Sequence, residues 1–154
     1  MAAPPSRAPQ AVLFACALNS VRSPMAESLL QQMFPQALYV RSAGVRKGEL
    51  DPFAVAVMAE LGQDISQHKP MTFEELDDWE GLNFDLIITL SPEAHHKALE
   101  LTRTLAAEVE YWPTQDPTTI EGSRDQKLAA YREVCDQLLM RIRRRFAKSG
   151  AASE

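Results

Sequence analysis

Residues 11–24 read AVLFACALNSVRSP, and this stretch decides the fold. Ala11-Val12-Leu13-Phe14-Ala15 is short and apolar without a break. Such a run suits a strand covered on both faces, as in a parallel sheet. It ends at Cys16. Ser23-Pro24 then opens a helix, because proline fits the first helical position, where its missing N–H is not needed. Met25, Leu29 and Met33 follow at helical spacing on one face. Between strand and helix lies the loop Cys16-Ala17-Leu18-Asn19-Ser20-Val21-Arg22-Ser23.

Outward from this stretch the pattern repeats. Leu38 to Ala43 reads as a second strand, closed by Gly44. Asp51, as N-cap, and Pro52 start a helix with the stripe Phe53, Val57, Met58 and Leu61, stopped at Gly62. Residues 64–83 are mixed, with a short helix near Phe73 to Leu76. Leu86 to Leu90 is a third strand, Pro92 opens a helix through Leu99 and Leu101, and Val109 to Trp112 is a fourth strand. The last helix runs from Arg124 to Phe146, with Leu128, Tyr131, Cys135, Leu138, Ile142 and Phe146 on one face. Four alternations of strand and helix predict a single three-layer α/β domain with right-handed crossovers. Its four-stranded parallel sheet carries helices on both faces, flavodoxin-like, in the order 2-1-3-4. The domain spans residues 11–146, between flexible tails at 1–10 and 147–154. Sites in such sheets lie beyond the carboxyl ends of the strands, where the strand order reverses. That singles out the loops after Cys16, Ser91 and Pro113.

Composition narrows the function classes. The chain has 154 residues, 45% apolar and 24% charged, with a formal net charge of -5. This excludes collagen, coiled coil, a disulfide-rich mini-protein and a wholly disordered chain. A mildly acidic domain has no general pull toward nucleic acid or anionic membrane. Two cysteines, Cys16 and Cys135, make no disulfide framework, and a reducing, cytoplasmic setting is expected. No apolar stretch is long enough to span a bilayer, and Met1 to Gln10 lacks the apolar core of a signal peptide. His95 and His96 diverge by about a hundred degrees on a helix, so no metal site is read there, and no cofactor is expected. His68 is read as a structural hydrogen-bonding group. Asp77, Asp78 and Glu80 with Trp79 are read as a solvated loop. Arg141, Arg143, Arg144 and Arg145 suit the dipole at the final helix end.

The loop after the first strand carries the chemistry. Successive backbone N–H groups there can turn toward one point, and the helix dipole adds positive potential. Residues Ala17, Leu18, Asn19, Ser20, Val21, Arg22 and Ser23 thus form a cradle for a tetrahedral oxyanion. A cysteine facing that field, Cys16, is held as a thiolate. The Arg22 fork bridges two oxygens of the anion. Ser23 donates to the sulfur, and Asn19 tolerates a left-handed backbone. The fitting reaction is in-line attack of sulfur on phosphorus, with water later releasing the phosphoryl group. The leaving oxygen needs a proton, and Asp116, on a loop stiffened by Pro117 at the same sheet edge, supplies it. Cys16, Arg22 and Asp116 are therefore the expected catalytic residues.

The stretch Val12 to Glu27, VLFACALNSVRSPMAE, resembles the low-molecular-weight protein tyrosine phosphatases and the related thiol-dependent arsenate reductases. Arg41-Ser42-Ala43-Gly44, Gly62 to His68, Phe84 to Leu90 and Asp116-Pro117 extend the likeness. The resemblance implies a nucleophilic Cys16, a phosphate-binding Arg22, a thiolate-supporting Ser23, a loop-shaping Asn19 and an acid at Asp116. The chain departs from the family at several places. Leu18 stands where the family loop usually has Gly, and Val21 where many phosphatases carry a second Cys. Thr118-Thr119 stand where the phosphatases place aromatic residues, and Ser91 where the thioredoxin-linked reductases need a thiol. Trp112 before Asp-Pro and the Arg-rich final helix look closer to the reductase branch. The first reading is a phosphomonoesterase acting through a phosphocysteine on a phosphorylated protein or small aryl phosphate. It is expected to bind inorganic phosphate or arsenate and to be a monomer or weak dimer. The alternatives are an arsenate reductase using an external thiol (glutathione with glutaredoxin, or mycothiol) and a non-catalytic oxyanion or phosphoprotein binder. Cys135, in an apolar stripe, is expected to be packed away.

Overall fold

The computed structural model describes residues 9–35 and 38–147. The terminal segments read as tails lie outside the described residues, apart from residues 9, 10 and 147. The chain forms β1 (Ala11–Cys16), α1 (Arg22–Met33), β2 (Tyr39–Gly44), α2 (Pro52–Glu60), α3 (Phe73–Glu80) and β3 (Leu86–Thr89). Then follow α4 (Pro92–Leu101), β4 (Glu108–Tyr111), a 3₁₀ turn (Pro117–Thr119), α5 (Arg124–Ile142) and a π-helical turn (Arg143–Ala147). All neighbouring strands pair in parallel, in the order β2-β1-β3-β4.

β1 is unbroken in its apolar character because both its faces are covered. Val12, Phe14 and Cys16 point into one core cluster with residues of α1, α2 and α5. Leu13 and Ala15 point into the other, with residues of α3 and α4. This is the period of two expected of a strand. The chain leaves β1 in one lateral direction to β2 and returns on the other side at β3. The strand order therefore reverses at β1, and its carboxyl end opens at the switch point.

Several boundaries differ from the sequence reading, each for a local reason. α1 begins at Arg22, with Val21 as its N-cap and no capping side chain, so Pro24 is the third helical residue. Proline is tolerated there because the first-turn N–H groups have no intrahelical acceptor. α3 runs through the acidic segment, which is helical rather than loop, because Thr72 and Glu75 form a capping box at its start. Trp79 at its end is 81% exposed. Leu61 caps the end of α2 and is exposed rather than part of the buried stripe. β4 starts one residue early and is the polar edge strand, and Trp112 continues its ladder by donating to the Thr89 carbonyl at 2.8 Å. α5 gives way to the π-helical turn before Phe146, which stays buried. No helix among the described residues is long and apolar enough to cross a membrane.

The end of β2 must pass very close to the loop after β1, and Gly44 allows it. A Cβ there would lie 2.4 Å from the Arg46 carbonyl oxygen and 2.9 Å from the Asn19 nitrogen. Gly44→Ala is expected to lower stability by about 1–3 kcal/mol, as overpacking does, and to weaken phosphate binding by displacing the loop. Thermal melts with and without phosphate check both effects.

Candidate active site

The loop from Cys16 to Arg22 is shaped from outside. Its carbonyls are drawn away toward the chain that follows β2. Val45 donates to the Cys16 carbonyl at 3.2 Å, Arg46 to Ala17 at 2.9 Å, Gly48 to Leu18 at 2.9 Å and Asp51 to Ser20 at 3.2 Å. Asn19, between them, takes the left-handed conformation with φ of 55°. With the carbonyls turned out, the N–H groups of residues 17–23 are left without a protein acceptor among the described residues. The uncapped start of α1 adds its free first-turn donors to the same place. Such a ring of inward N–H groups is complementary to a tetrahedral oxyanion.

Cys16 is buried at the base of this ring, its Sγ 2.9 Å from the Ser23 hydroxyl. The direction of that bond follows from its neighbour. Asn19 Nδ2 donates to Ser23 Oγ at 2.9 Å, so the serine accepts there and keeps its own proton for the sulfur. The same Nδ2 donates to Ser42 Oγ at 2.9 Å, and Ser42 in turn donates to Glu27 Oε1. On the other side of the amide, Asn19 Oδ1 accepts from the Met71 N–H and from His68 Nε2, both at 3.0 Å. Every hydrogen-bonding site of the Asn19 side chain is used. The expectation of a structural hydrogen bond for His68 is met by this contact. Burial pushes the Glu27 carboxyl up and the His68 imidazole down, so both resist charge in the folded protein.

Arg22 is only 8% exposed. Its Nη1 donates to the Thr114 carbonyl at 2.9 Å, and its Nη2 lies 4.0 Å from Asp116 Oδ2. Asp116 caps the 3₁₀ turn: Oδ1 accepts from the Thr118 N–H at 3.0 Å and from the Thr118 hydroxyl at 2.7 Å. Its other oxygen is left toward Arg22. Thus Cys16, Arg22 and Asp116 meet at one edge of the sheet, although Asp116 lies far along the chain. Leu18 is partly exposed and its Cβ packs beside Gly48. Asp51 N-caps α2 through the Phe53 N–H at 2.8 Å and accepts from the Tyr131 hydroxyl at 2.6 Å. The Tyr131 hydroxyl is held above its ordinary range by burial and by this carboxylate.

The second thiol is elsewhere and inert. Cys135 is buried against Met58, with its Sγ 3.8 Å from the Met58 sulfur, and burial pushes its thiol up to about 11. Ser91 is the N-cap of α4, accepting from the Ala94 N–H at 3.2 Å. His95 bonds Thr89 Oγ1 at 2.9 Å and stacks on Tyr111. Among the described residues no three His, Cys, Asp or Glu side chains cluster as metal ligands. Spacing alone does not single out Glu27, Ser42 and Thr114, because their partners lie on other elements.

Comparisons with known proteins bear on the chain as a whole. The model of the low molecular weight phosphotyrosine protein phosphatase family matches residues 11–149. An arsenate reductase of Bacillus licheniformis is 35% identical over 139 residues, covering 90% of this chain and 96% of that protein. The solved structure of an arsenate reductase in the phosphate binding state superposes with a TM-score of 0.68 at 27% identity, covering 90% of this chain and 98% of that one. A low molecular weight protein tyrosine phosphatase from T. tengcongensis shares the fold with a TM-score of 0.72 at 24% identity, covering 90% and 99%.

The buried pair behind the loop has a pH signature. The raised Glu27 carboxyl contributes stability below its ordinary 4.5, and that contribution is lost as pH rises through the folded value. The lowered His68 imidazole contributes stability above its ordinary 6.5, lost as pH falls through its folded value. Glu27→Gln is therefore expected to gain stability relative to the parent as pH rises from about 4 to about 7. Thermal melts across that range measure it, and a difference independent of pH would count against the buried carboxyl.

Proposed function

Because the chain belongs to the low molecular weight phosphotyrosine protein phosphatase family, we propose that it reduces arsenate at Cys16 with electrons from an external thiol. The observation that carries this reading is the similarity to arsenate reductases along nearly the whole chain, joined to a sulfur set in an oxyanion cradle. Thr118 and Thr119 after Asp116-Pro117 fit it, since no aromatic wall follows the acid.

The Cys16 thiolate attacks arsenic while the loop N–H groups and Arg22 hold the remaining oxygens. One arsenate hydroxyl leaves as water, with its proton supplied by Asp116. A first external thiol then attacks the Cys16 sulfur. The sulfur–arsenic bond breaks, its electron pair stays on arsenic, and arsenite departs. A second thiol resolves the mixed disulfide and restores the Cys16 thiolate. Two thiols thus supply two electrons and leave as a disulfide. The thiols must be external because Cys135 is buried and Ser91 holds a helix cap.

A second reading is favoured by Asp116, whose Oδ2 makes no hydrogen bond within the 3₁₀ turn and lies 4.0 Å from Arg22 Nη2. The same attack on phosphorus, with Asp116 protonating an alkoxide or phenoxide, makes a phosphomonoesterase of small aryl phosphates. Water then cleaves the phosphocysteine.

Cys16→Ser is expected to lower turnover by at least about a thousandfold in either reaction while phosphate still binds. Arsenite formation with glutathione and glutaredoxin, or with mycothiol, is the deciding assay. Hydrolysis of p-nitrophenyl phosphate without arsenite formation from any thiol selects the second reading. Binding without either turnover leaves an oxyanion binder. Asp116→Asn should slow hydrolysis by about a hundredfold for poor leaving groups and far less for good ones. An equal loss for all of them would remove Asp116 from the acid role.

A further inference from the structure

Four arginines crowd the end of α5 and the turn after it: Arg141, Arg143, Arg144 and Arg145. The helix dipole favours positive charge there but does not explain why three of them converge. Arg141, Arg144 and Arg145, spaced three and four apart, line one shallow cavity of about 360 Å³, wide open to solvent, together with Trp112. The charges around it do not balance. Glu110 is already committed: Oε2 accepts from Arg145 Nε at 2.8 Å and Oε1 from Trp112 Nε1 at 3.2 Å. Among the described residues neither Arg141 nor Arg144 has a carboxylate partner. Arg141 Nη1 is buried with no hydrogen-bond acceptor. A charged group of this kind leaves positive charge uncompensated beside the cavity. The cluster also stands out against a chain with net charge -5.

We propose that this cavity is a second anion site, separate from the Cys16 loop, and that it takes a dianion of the phosphate class. Its oxygens meet the exposed Arg144 guanidinium, the uncompensated Arg141 charge lies beside them, and the Trp112 ring forms a wall. The site stands independently of the reaction at Cys16. It is nonetheless near in the chain, since Trp112 leads through Pro113 to Thr114, whose carbonyl holds Arg22.

Trp112 provides the readout. The chain has two tryptophans, so Trp79→Phe leaves Trp112 as the one indole. Inorganic phosphate is titrated against its fluorescence in that protein, with and without Arg22→Ala, which removes the clamp of the Cys16 loop. A saturable change that persists with Arg22→Ala is expected, and R144Q or R141Q should weaken it about tenfold. Arg144 is exposed, so R144Q tests the site without disturbing the core. The proposal is overturned if Arg22→Ala abolishes the response while R144Q leaves it intact. It is also overturned if sodium chloride at equal ionic strength reproduces the change.

Discussion

The site depends on one constraint: the carbonyl oxygens of the loop after β1 must all face away from its centre. A backbone that turns its carbonyls out turns its N–H groups in, and only then does a short loop become an anion cradle. The chain after β2 imposes this by donating to four of those carbonyls from Val45, Arg46, Gly48 and Asp51. The two segments can lie that close because position 44 has no side chain. Asn19 completes the constraint from behind, where its saturated amide holds the left-handed turn and fixes the direction of the Ser23 proton. A cradle shaped for an oxyanion beside Cys16 is thus prepared by backbone geometry before any charged side chain is considered.

Much of this was legible in the sequence. The unbroken run from Val12 to Ala15 announced a central parallel strand, because only a strand covered on both faces can dispense with polar residues. The parallel pattern puts Cys16, Arg22 and Asp116 at one sheet edge, since Cys16 ends β1, Arg22 follows it and Asp116 follows β4. Proline suits the first helical position, yet α1 begins two residues before Pro24, at Arg22, so that its open first turn joins the loop. The acidic segment carries its helical signal ahead of its charges, in the capping box of Thr72 and Glu75.

What lay beyond sequence reasoning is the network behind the loop. Asn19 gathers partners from residues 23, 42, 68 and 71, which belong to different parts of the chain. No local periodicity encodes such a meeting. Glu27 looks like any helix carboxylate until the sheet places Ser42 against it. The arginines after α5 are similar: their charge was visible, but not their convergence on Trp112.

The placement of sulfur has a consequence for survival under oxidative stress. A thiolate that meets peroxide becomes a sulfenic acid, which is rescued when a neighbouring thiol condenses with it. Here Val21 occupies the loop position beside Arg22, and Cys135 is packed against Met58 in the core. An oxidised Cys16 therefore has no resolving partner within the described chain. Were it oxidised to the sulfenic acid, its repair would fall to reductants of the surrounding medium.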